Sequence, residues 1–192
     1  SARRGPRRAP TVAWRVRTRR RVAASPGITS EGWVVFASLD GGVHAVDGAG
    51  RVRWSRLGLG RVFASPAVSG DLVVLGTDGG AFVGLGPRGV ERWRLASDED
   101  CDAPAVVGDD GAVYVASRWL RARDPDGRTR YSVDLAGHVF GAPALRGDTL
   151  YVPEMPGAVA MLRASDGGLV RRVALPALQV GGVLVLDDGG FV

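Results

Sequence analysis

The densest group of side chains able to do chemistry is an acidic run, Asp98-Glu99-Asp100-Cys101-Asp102. Calcium needs several oxygen ligands in a defined geometry, and this run lacks the Asp-x-Asp-x-Asp-Gly order of a calcium-binding loop. We therefore predict a solvated loop; a calcium site or a patch for a basic partner are the alternatives. Cys101 is the only cysteine. One thiol gives neither an internal disulfide nor a zinc site, so Cys101 is expected to be a small core or loop residue.

Two histidines and one tryptophan are the other candidates for chemistry. His44 and His138 lie far apart in the chain, and no spacing of Ser, His and Asp predicts a catalytic triad, so each is expected to be a packed or surface histidine. Trp119 has arginines on both sides, including Arg121. An aromatic side chain among arginines is typical of a protein-recognition hot spot, so Trp119 and Arg121 are candidate interaction residues. The alternative is that Trp119 packs against a neighbouring part of the fold. No residue is predicted to be catalytic.

A repeat of about 39 residues organises the chain that carries these side chains. A small residue followed by proline recurs at separations of 40, 38 and 39 residues, at Pro26, Pro66, Pro104 and Pro143. Aromatic residues recur at separations of 40, 39 and 38 residues, at Trp14, Trp54, Trp93 and Tyr131. Two markers that keep the same period over most of the chain indicate an internal repeat.

Glycine supplies a third marker, because it permits the positive φ of tight hairpin turns. Asp-Gly-Gly turns end at Gly42 and Gly80, and Trp119 stands where the third copy would place this glycine. The other two markers have structural duties as well. A proline without an N–H suits the start of a strand near the centre of the fold. A tryptophan on the last strand of each copy is large enough to fill the space beside the neighbouring copy.

The pattern within each copy predicts strands. Short apolar runs rich in β-branched and aromatic residues follow polar turns, as at 33–36, 72–75 and 150–152. No window has a convincing helical period. Four strands in about 40 residues are typical of a β-propeller blade. We predict an all-β propeller of four full blades plus partial ones over residues 12–192, which opens on a last strand at about residues 12–17. Residues 1–11 are predicted to be a disordered arginine-rich tail.

The order of the markers resembles a known family. Ser-Pro-Ala-Val is followed by Gly-Asp-Leu-Val-Val-Leu-Gly-Thr-Asp-Gly-Gly and then by Gly-x-x-x-Trp. This order is similar to the PQQ-like repeat of the quinoprotein alcohol dehydrogenases, which the propeller lipoprotein of the outer-membrane β-barrel assembly machinery shares. The resemblance implies seven or eight blades, so we expect an incomplete ring or a fragment of a larger propeller.

Charge is concentrated at one end of the chain. All 25 basic residues are arginine, and nine of them precede residue 22, where there is no acidic residue. From residue 22 onward, 16 arginines face 20 acidic residues, a balance of −4. We therefore expect no nucleic-acid partner for the propeller, although a basic tail can contact nucleic acid or anionic lipid. No apolar run reaches the length of a membrane span. A periplasmic or other extracytoplasmic location is expected.

The predicted function is a non-catalytic binding scaffold. Enzymes of the resembled family hold PQQ with two adjacent cysteines and a stacking tryptophan, and hold calcium with Glu, Asn and Asp. This chain has one cysteine and no asparagine, so PQQ and calcium are not expected. Its partners would be another protein or further blades of the same protein, in an assembly or sensor role. The alternative is a fragment of a PQQ-dependent dehydrogenase whose cofactor site lies on other sequence.

Overall fold

The computed structural model describes residues 11–176, 181–187 and 190–192. These residues form sixteen β-strands and one short 3-10 helix at Pro87–Gly89, and none of them lies in an α-helix. The prediction of an all-β fold is confirmed. Of the predicted tail, only Thr11 lies within the described residues.

The strands form four antiparallel sheets of four strands, each in chain order, as predicted for propeller blades. Blade 1 contains β1 Gly27–Ile28, β2 Val34–Ala37, β3 Val43–Val46 and β4 Val52–Arg56. Blade 2 contains β5 Ala67–Ser69, β6 Leu72–Thr77, β7 Ala81–Leu85 and β8 Glu91–Ala96. Blade 3 contains β9 Val106–Val107, β10 Val113–Ala116, β11 Trp119–Arg123 and β12 Thr129–Asp134. Blade 4 contains β13 Ala144–Arg146, β14 Thr149–Glu154, β15 Ala158–Arg163 and β16 Leu169–Ala174.

The hydrophobic core lies between the blades. Side chains alternate across each strand, so every blade presents one apolar face to each neighbour. Three clusters result, centred on Leu75 between blades 1 and 2, on Phe82 between blades 2 and 3, and on Leu120 between blades 3 and 4. Both middle strands of blade 2, β6 and β7, are buried along their whole length because that blade has a neighbour on each face.

The blades form an open arrangement in which the innermost strands β1, β5, β9 and β13 contact one another in succession. Blade 1 is covered by the segment that precedes it, where Leu39 N–H donates to the carbonyl of Arg21 at 3.0 Å. Residues 12–17 of that segment form no strand with the described residues, so the strand predicted there is absent. Blade 4 contacts the last residues, with the rings of Tyr151 and Phe191 5.8 Å apart.

The up-and-down order of the strands gives the protein two faces. The turns after the first and third strand of each blade lie at one end, which we call the hairpin face. The turn after the second strand and the connection to the next blade lie at the other end, which we call the connection face. Pro26, Pro66 and Pro143 directly precede the innermost strands, whereas Pro104 lies two residues before β9. Proline fits there because its missing N–H interrupts no strand pairing.

Candidate functional site

Trp54, Trp93 and Tyr131 lie between neighbouring blades, and Trp14 lies between the segment before blade 1 and that blade, all near the hairpin face. The indole N–H of Trp14 donates to the carbonyl of Gly48 at 3.1 Å, and that of Trp93 donates to Pro125 at 3.2 Å. The hydroxyl of Tyr131 donates to the carbonyl of Ala164 at 2.7 Å. Each acceptor belongs to the turn between the third and fourth strand of the next blade. These side chains join one blade to the next.

Glycines of the same turns make room for the aromatic rings. Gly127 has φ +91, and a Cβ placed on it would lie 2.5 Å from Cγ of Trp93. Gly89 holds the same relation to Trp54, with 2.6 Å to Cε3. The glycine that lies four residues before one repeat aromatic therefore packs against the aromatic residue of the preceding repeat, and its missing side chain leaves room for that ring. Sequence spacing revealed both residues but not that their contact crosses between repeats.

Blade 4 departs from this arrangement. Met161 pairs with Arg171 in blade 4 at the register position where Ala122 pairs with Tyr131 in blade 3. Arg171 is exposed, so the fourth blade has an arginine where the other blades have an aromatic ring that packs between blades.

The turn glycines of the connection face align differently from the sequence pattern. The carbonyls of Gly41, Gly80 and Arg118 accept the N–H of Leu59, Ser97 and Leu135 respectively. Gly80 therefore corresponds to Gly41, and Gly42 corresponds to Ala81 and Trp119. The third copy does place Trp119 at the position of Gly42, as the sequence predicts.

Trp119 is the first residue of β11, and 41% of its surface is exposed. Its neighbour Arg118 holds the turn in place, since its guanidinium donates to the carbonyl of Leu135 and lies 3.1 Å from the carboxylate of Asp134. The indole is thus presented to solvent by a fixed hairpin. Exposed tryptophans on rigid elements are frequent at protein interfaces.

Arg121 lies deeper than Trp119. It pairs with Val115 across the sheet, and one of its guanidinium nitrogens is buried with no hydrogen-bond partner. Two residues further along, Arg123 is 8% exposed, and its guanidinium lies 5.1 Å from the centre of the Trp93 ring. Burial lowers the pKa of Arg123. Nothing in the sequence pattern predicted that this arginine lies between blades 2 and 3.

The acidic run forms the connection from β8 to β9. Cys101 is fully buried within it, and its N–H donates to the carbonyl of Thr77 at 3.2 Å. Burial raises the pKa of the Cys101 thiol to about 11, so the thiol is protonated at neutral pH and a poor nucleophile.

Two carboxylates of the run meet a third from the neighbouring turn. Oxygens of Asp78, Asp100 and Asp102 lie within 4.8 Å of one another, close enough to hold a metal ion. Asp78 is paired with Arg61 at 2.5 Å. Burial, followed by the charges of Asp78 and Asp100, raises the pKa of Asp102, whose Oδ1 is buried without a hydrogen-bond partner. Sequence reasoning found the run but missed Asp78 and Arg61, which only the fold brings to it.

The two histidines are not brought together. Nδ1 of His138 lies 3.2 Å from Oε2 of Glu99, and its ring stacks on Phe140 at 6.0 Å. These three residues, with Asp98 and Asp100, line a cleft of about 310 Å³ on the connection face. His44 instead contacts the hydroxyl of Ser55 at 2.8 Å, and burial lowers its pKa.

Apolar side chains are exposed beside the acidic run. Phe63 and Phe140 are 39% and 40% exposed, in the connections that enter blades 2 and 4. The connection face thus combines aromatic side chains with carboxylates, a composition suited to binding a protein. Two larger clefts, of about 440 and 400 Å³, lie on the hairpin face between blades 3 and 4 and between blades 1 and 2. Within the described ranges, no helix has the length and apolar character that a membrane crossing requires.

Comparison with protein families gives one match, to the family described as outer membrane protein assembly factor BamB, over residues 7–117. The match begins inside the segment predicted to be a tail. A search of curated proteins found no match.

Three solved structures show the same fold. BamB from Moraxella catarrhalis superposes with a TM-score of 0.79 at 22% identity, over 91% of this chain and 56% of that chain. The computationally designed protein Ika8 gives 0.73 at 16% identity, over 86% and 56%. A chain of a mitotic checkpoint complex gives 0.73 at 13% identity, over 84% and 53%. The chain therefore spans little more than half the length of the structures it resembles.

Proposed function

Since this chain belongs to the family of outer membrane protein assembly factor BamB, whose members carry PQQ-like repeats, we propose that it is a non-catalytic scaffold that binds other proteins during outer-membrane assembly. The family and the propeller fold support a protein-interaction role in general terms. The assembly role, an extracytoplasmic location and the surface that binds are our proposals.

The exposed aromatic residues of the connection face carry the proposal. Trp119, Phe63 and Phe140 are each about two-fifths exposed, and each lies on a turn or connection fixed by backbone hydrogen bonds or packing. Large aromatic side chains held rigidly lose little conformational entropy on binding, which is why they dominate protein-recognition sites.

The side chains that could do chemistry favour a scaffold over an enzyme. Cys101 is buried and protonated, and the two histidines are in different environments. The adjacent cysteines and the asparagine ligands of a PQQ enzyme are missing from the sequence. We expect no oxidation of simple alcohols when PQQ, calcium and an artificial electron acceptor are supplied. Turnover in that assay would favour the alternative, a fragment of a quinoprotein dehydrogenase.

Site-specific photo-crosslinking in the native host tests the scaffold role. A photoreactive phenylalanine analogue replaces Trp119 on the connection face or, as the control, Val90, which is 63% exposed near the turn before β8 on the hairpin face. We expect a defined crosslinked protein at position 119 but not at position 90, identified by mass spectrometry as a component or client of outer-membrane assembly. No crosslink at position 119, or the same products at both positions, would contradict the proposed surface.

A further inference from the structure

The connection face also indicates what kind of segment it binds. We propose that it recognises an extended segment of a partner protein in which an arginine or lysine lies between two apolar side chains. This inference rests on the proposed function and names the chemistry of the partner.

Three residues at equivalent places carry the inference, and we call them the rim triad: Phe63, Asp102 and Phe140. Each lies in the connection into a blade, between a buried residue and a buried small residue. These buried neighbours are Val62 and Ala64, Cys101 and Ala103, and Val139 and Gly141. The alternation places the middle side chain on the side away from the core, exposed in Phe63 and Phe140 and partly exposed in Asp102, so the three residues occupy equivalent positions on the connection face.

The order of the triad follows from the order of the blades. Its members enter blades 2, 3 and 4, whose innermost strands β5, β9 and β13 contact one another in succession. The connection face therefore presents an aromatic ring, a carboxylate and an aromatic ring in sequence around the centre of the fold. An extended chain places every second side chain on one side. Neighbouring innermost strands have Cα atoms within 8 Å of each other, close to the spacing of roughly 6.7 Å between residues i and i+2 of an extended chain, so side chains i, i+2 and i+4 can follow the order of the triad.

Charge selects a cation for the middle position. Asp102 shares its site with Asp78 and Asp100, and Arg61 is the cation that pairs with this group among the residues described. Three carboxylates with one guanidinium leave an excess of negative charge. Asp102 is partly exposed, and its buried Oδ1 has no hydrogen-bond partner within the chain. A guanidinium or ammonium group that contacts the exposed part of this carboxylate would neutralise part of the excess negative charge.

The flanking phenylalanines favour a peptide over a bare metal ion. A divalent ion bound by the three carboxylates would leave both rings exposed to water. A peptide covers the rings with its apolar side chains while its cation meets Asp102. The cation of the peptide can also contact the face of the Phe63 or Phe140 ring, which adds a cation–π interaction.

Two synthetic peptides provide the test, with the binding of each followed by NMR titration of the full chain. The first peptide is acetyl-Leu-Ser-Arg-Ser-Leu-amide. The second has citrulline in place of the arginine, because citrulline keeps the shape of arginine but carries no charge. We expect the arginine peptide to bind about fivefold more tightly, the scale of one partly exposed ion pair. Asp102→Asn should abolish that preference, whereas Asp71→Asn, the same change at an exposed position of the hairpin face, should retain it. Phe140→Ala should weaken both peptides alike.

Equal affinity for the two peptides, or a preference that survives Asp102→Asn in a variant shown to be folded by its thermal unfolding, would overturn the inference. Calcium titrated into the chain without peptide gives the competing outcome. Micromolar calcium binding that is lost in Asp102→Asn would make the carboxylate group a metal site instead. If neither peptide binds but position 119 still crosslinks to a partner, the proposed function stands and only the partner chemistry fails. Loss of both results would contradict the proposed function as well.

Discussion

The hairpin face and the connection face are built from the same four repeats but differ in how regular they are. On the hairpin face, Trp54 and Trp93 make the same contact with the glycine of the next blade. On the connection face, one position holds phenylalanine, aspartate or phenylalanine in successive blades, and Trp119 occupies a place that glycine fills in blade 1. Repetition within the chain thus marks contacts that hold the blades together, whereas variation marks positions that packing does not constrain.

The physical reason lies in what each position contacts. An aromatic residue such as Trp93 fills the space between two blades, so a smaller side chain at that position would leave a cavity. A residue that projects from a connection meets solvent, and its replacement leaves the blades in place. The face that tolerates variation is therefore the one that can acquire a binding function without loss of the fold.

The largest expected effect is on the hairpin side. Trp93→Ala should lower the free energy of unfolding by roughly 3–5 kcal/mol, as for other truncations of core aromatic residues. Trp93 is 8% exposed, and the mutation also removes the ring beneath the guanidinium of Arg123. Urea denaturation followed by tryptophan fluorescence measures the change. Trp54→Ala, at a partly exposed ring, should fall at the lower end of that range. A loss below about 1 kcal/mol for Trp93→Ala would show that the Trp93 side chain does not hold blades 2 and 3 together.

A pair of glycine substitutions separates packing from backbone strain. Gly127→Ala should cost roughly 2–4 kcal/mol, because its new Cβ would collide with Trp93 and its φ of +91 disfavours any side chain. Gly32 has φ +76 but no atom within 4 Å of a Cβ, so Gly32→Ala should cost only about 1–2 kcal/mol. Thermal unfolding of both variants measures the difference. Equal losses would mean that the ring can move away from the turn.

Sequence reasoning found the fold because structural markers repeat on both faces, with the aromatic residues near the hairpin face and the prolines and Asp-Gly-Gly turns at the connection face. Proline, glycine and aromatic markers recur in register, and each reports a local requirement: a strand start, a positive φ or a large side chain. Two details of the repeat itself were not predicted. Residues 12–17 carry the aromatic marker without forming a strand, and Gly80 corresponds to Gly41 instead of Gly42 because the Asp-Gly-Gly motif is displaced by one residue between two turns of equal length.

The candidate site was less predictable, because it is assembled from segments with no shared local pattern. Trp119 could be singled out since it breaks the repeat. Asp78 and Arg61 could not, because they join the acidic run through a neighbouring turn and connection. Phe63 and Phe140 look like ordinary apolar residues in the sequence, and only the fold shows that they are exposed at equivalent positions.

Trp119→Ala should separate binding from stability. Because two-fifths of the side chain is exposed, the loss should be below about 1 kcal/mol, clearly smaller than for Trp93→Ala. The same variant should bind less of any partner identified by crosslinking, which a pull-down with that purified partner measures. A stability loss equal to that of Trp93→Ala would place Trp119 among the residues that pack between blades, and the contrast between the two faces would fail there.

The smallest expected effects concern two aspartates and have opposite signs. On the hairpin face, a hydrogen bond from Arg130 lowers the pKa of Asp110. A lowered carboxyl pKa contributes stability above the unfolded value, which is lost as the pH falls through the folded value. On the connection face, burial raises the pKa of Asp102, so ionisation of Asp102 destabilises the folded state at neutral pH.

At pH 7, therefore, Asp110→Asn should lower the melting temperature and Asp102→Asn should raise it. A change of about 0.5 kcal/mol, the scale of exposed ion pairs, corresponds to a shift of about 1–2 °C for a domain of this size. For Asp102→Asn the gain should shrink as the pH falls from 7 towards 4, because the aspartate of the parent becomes protonated first in the folded state. Differential scanning calorimetry at both pH values measures the shifts. A lower melting temperature for Asp102→Asn at pH 7 would mean that the charged carboxylate already has a stabilising partner within the chain, and would remove the reason for expecting a cation from outside.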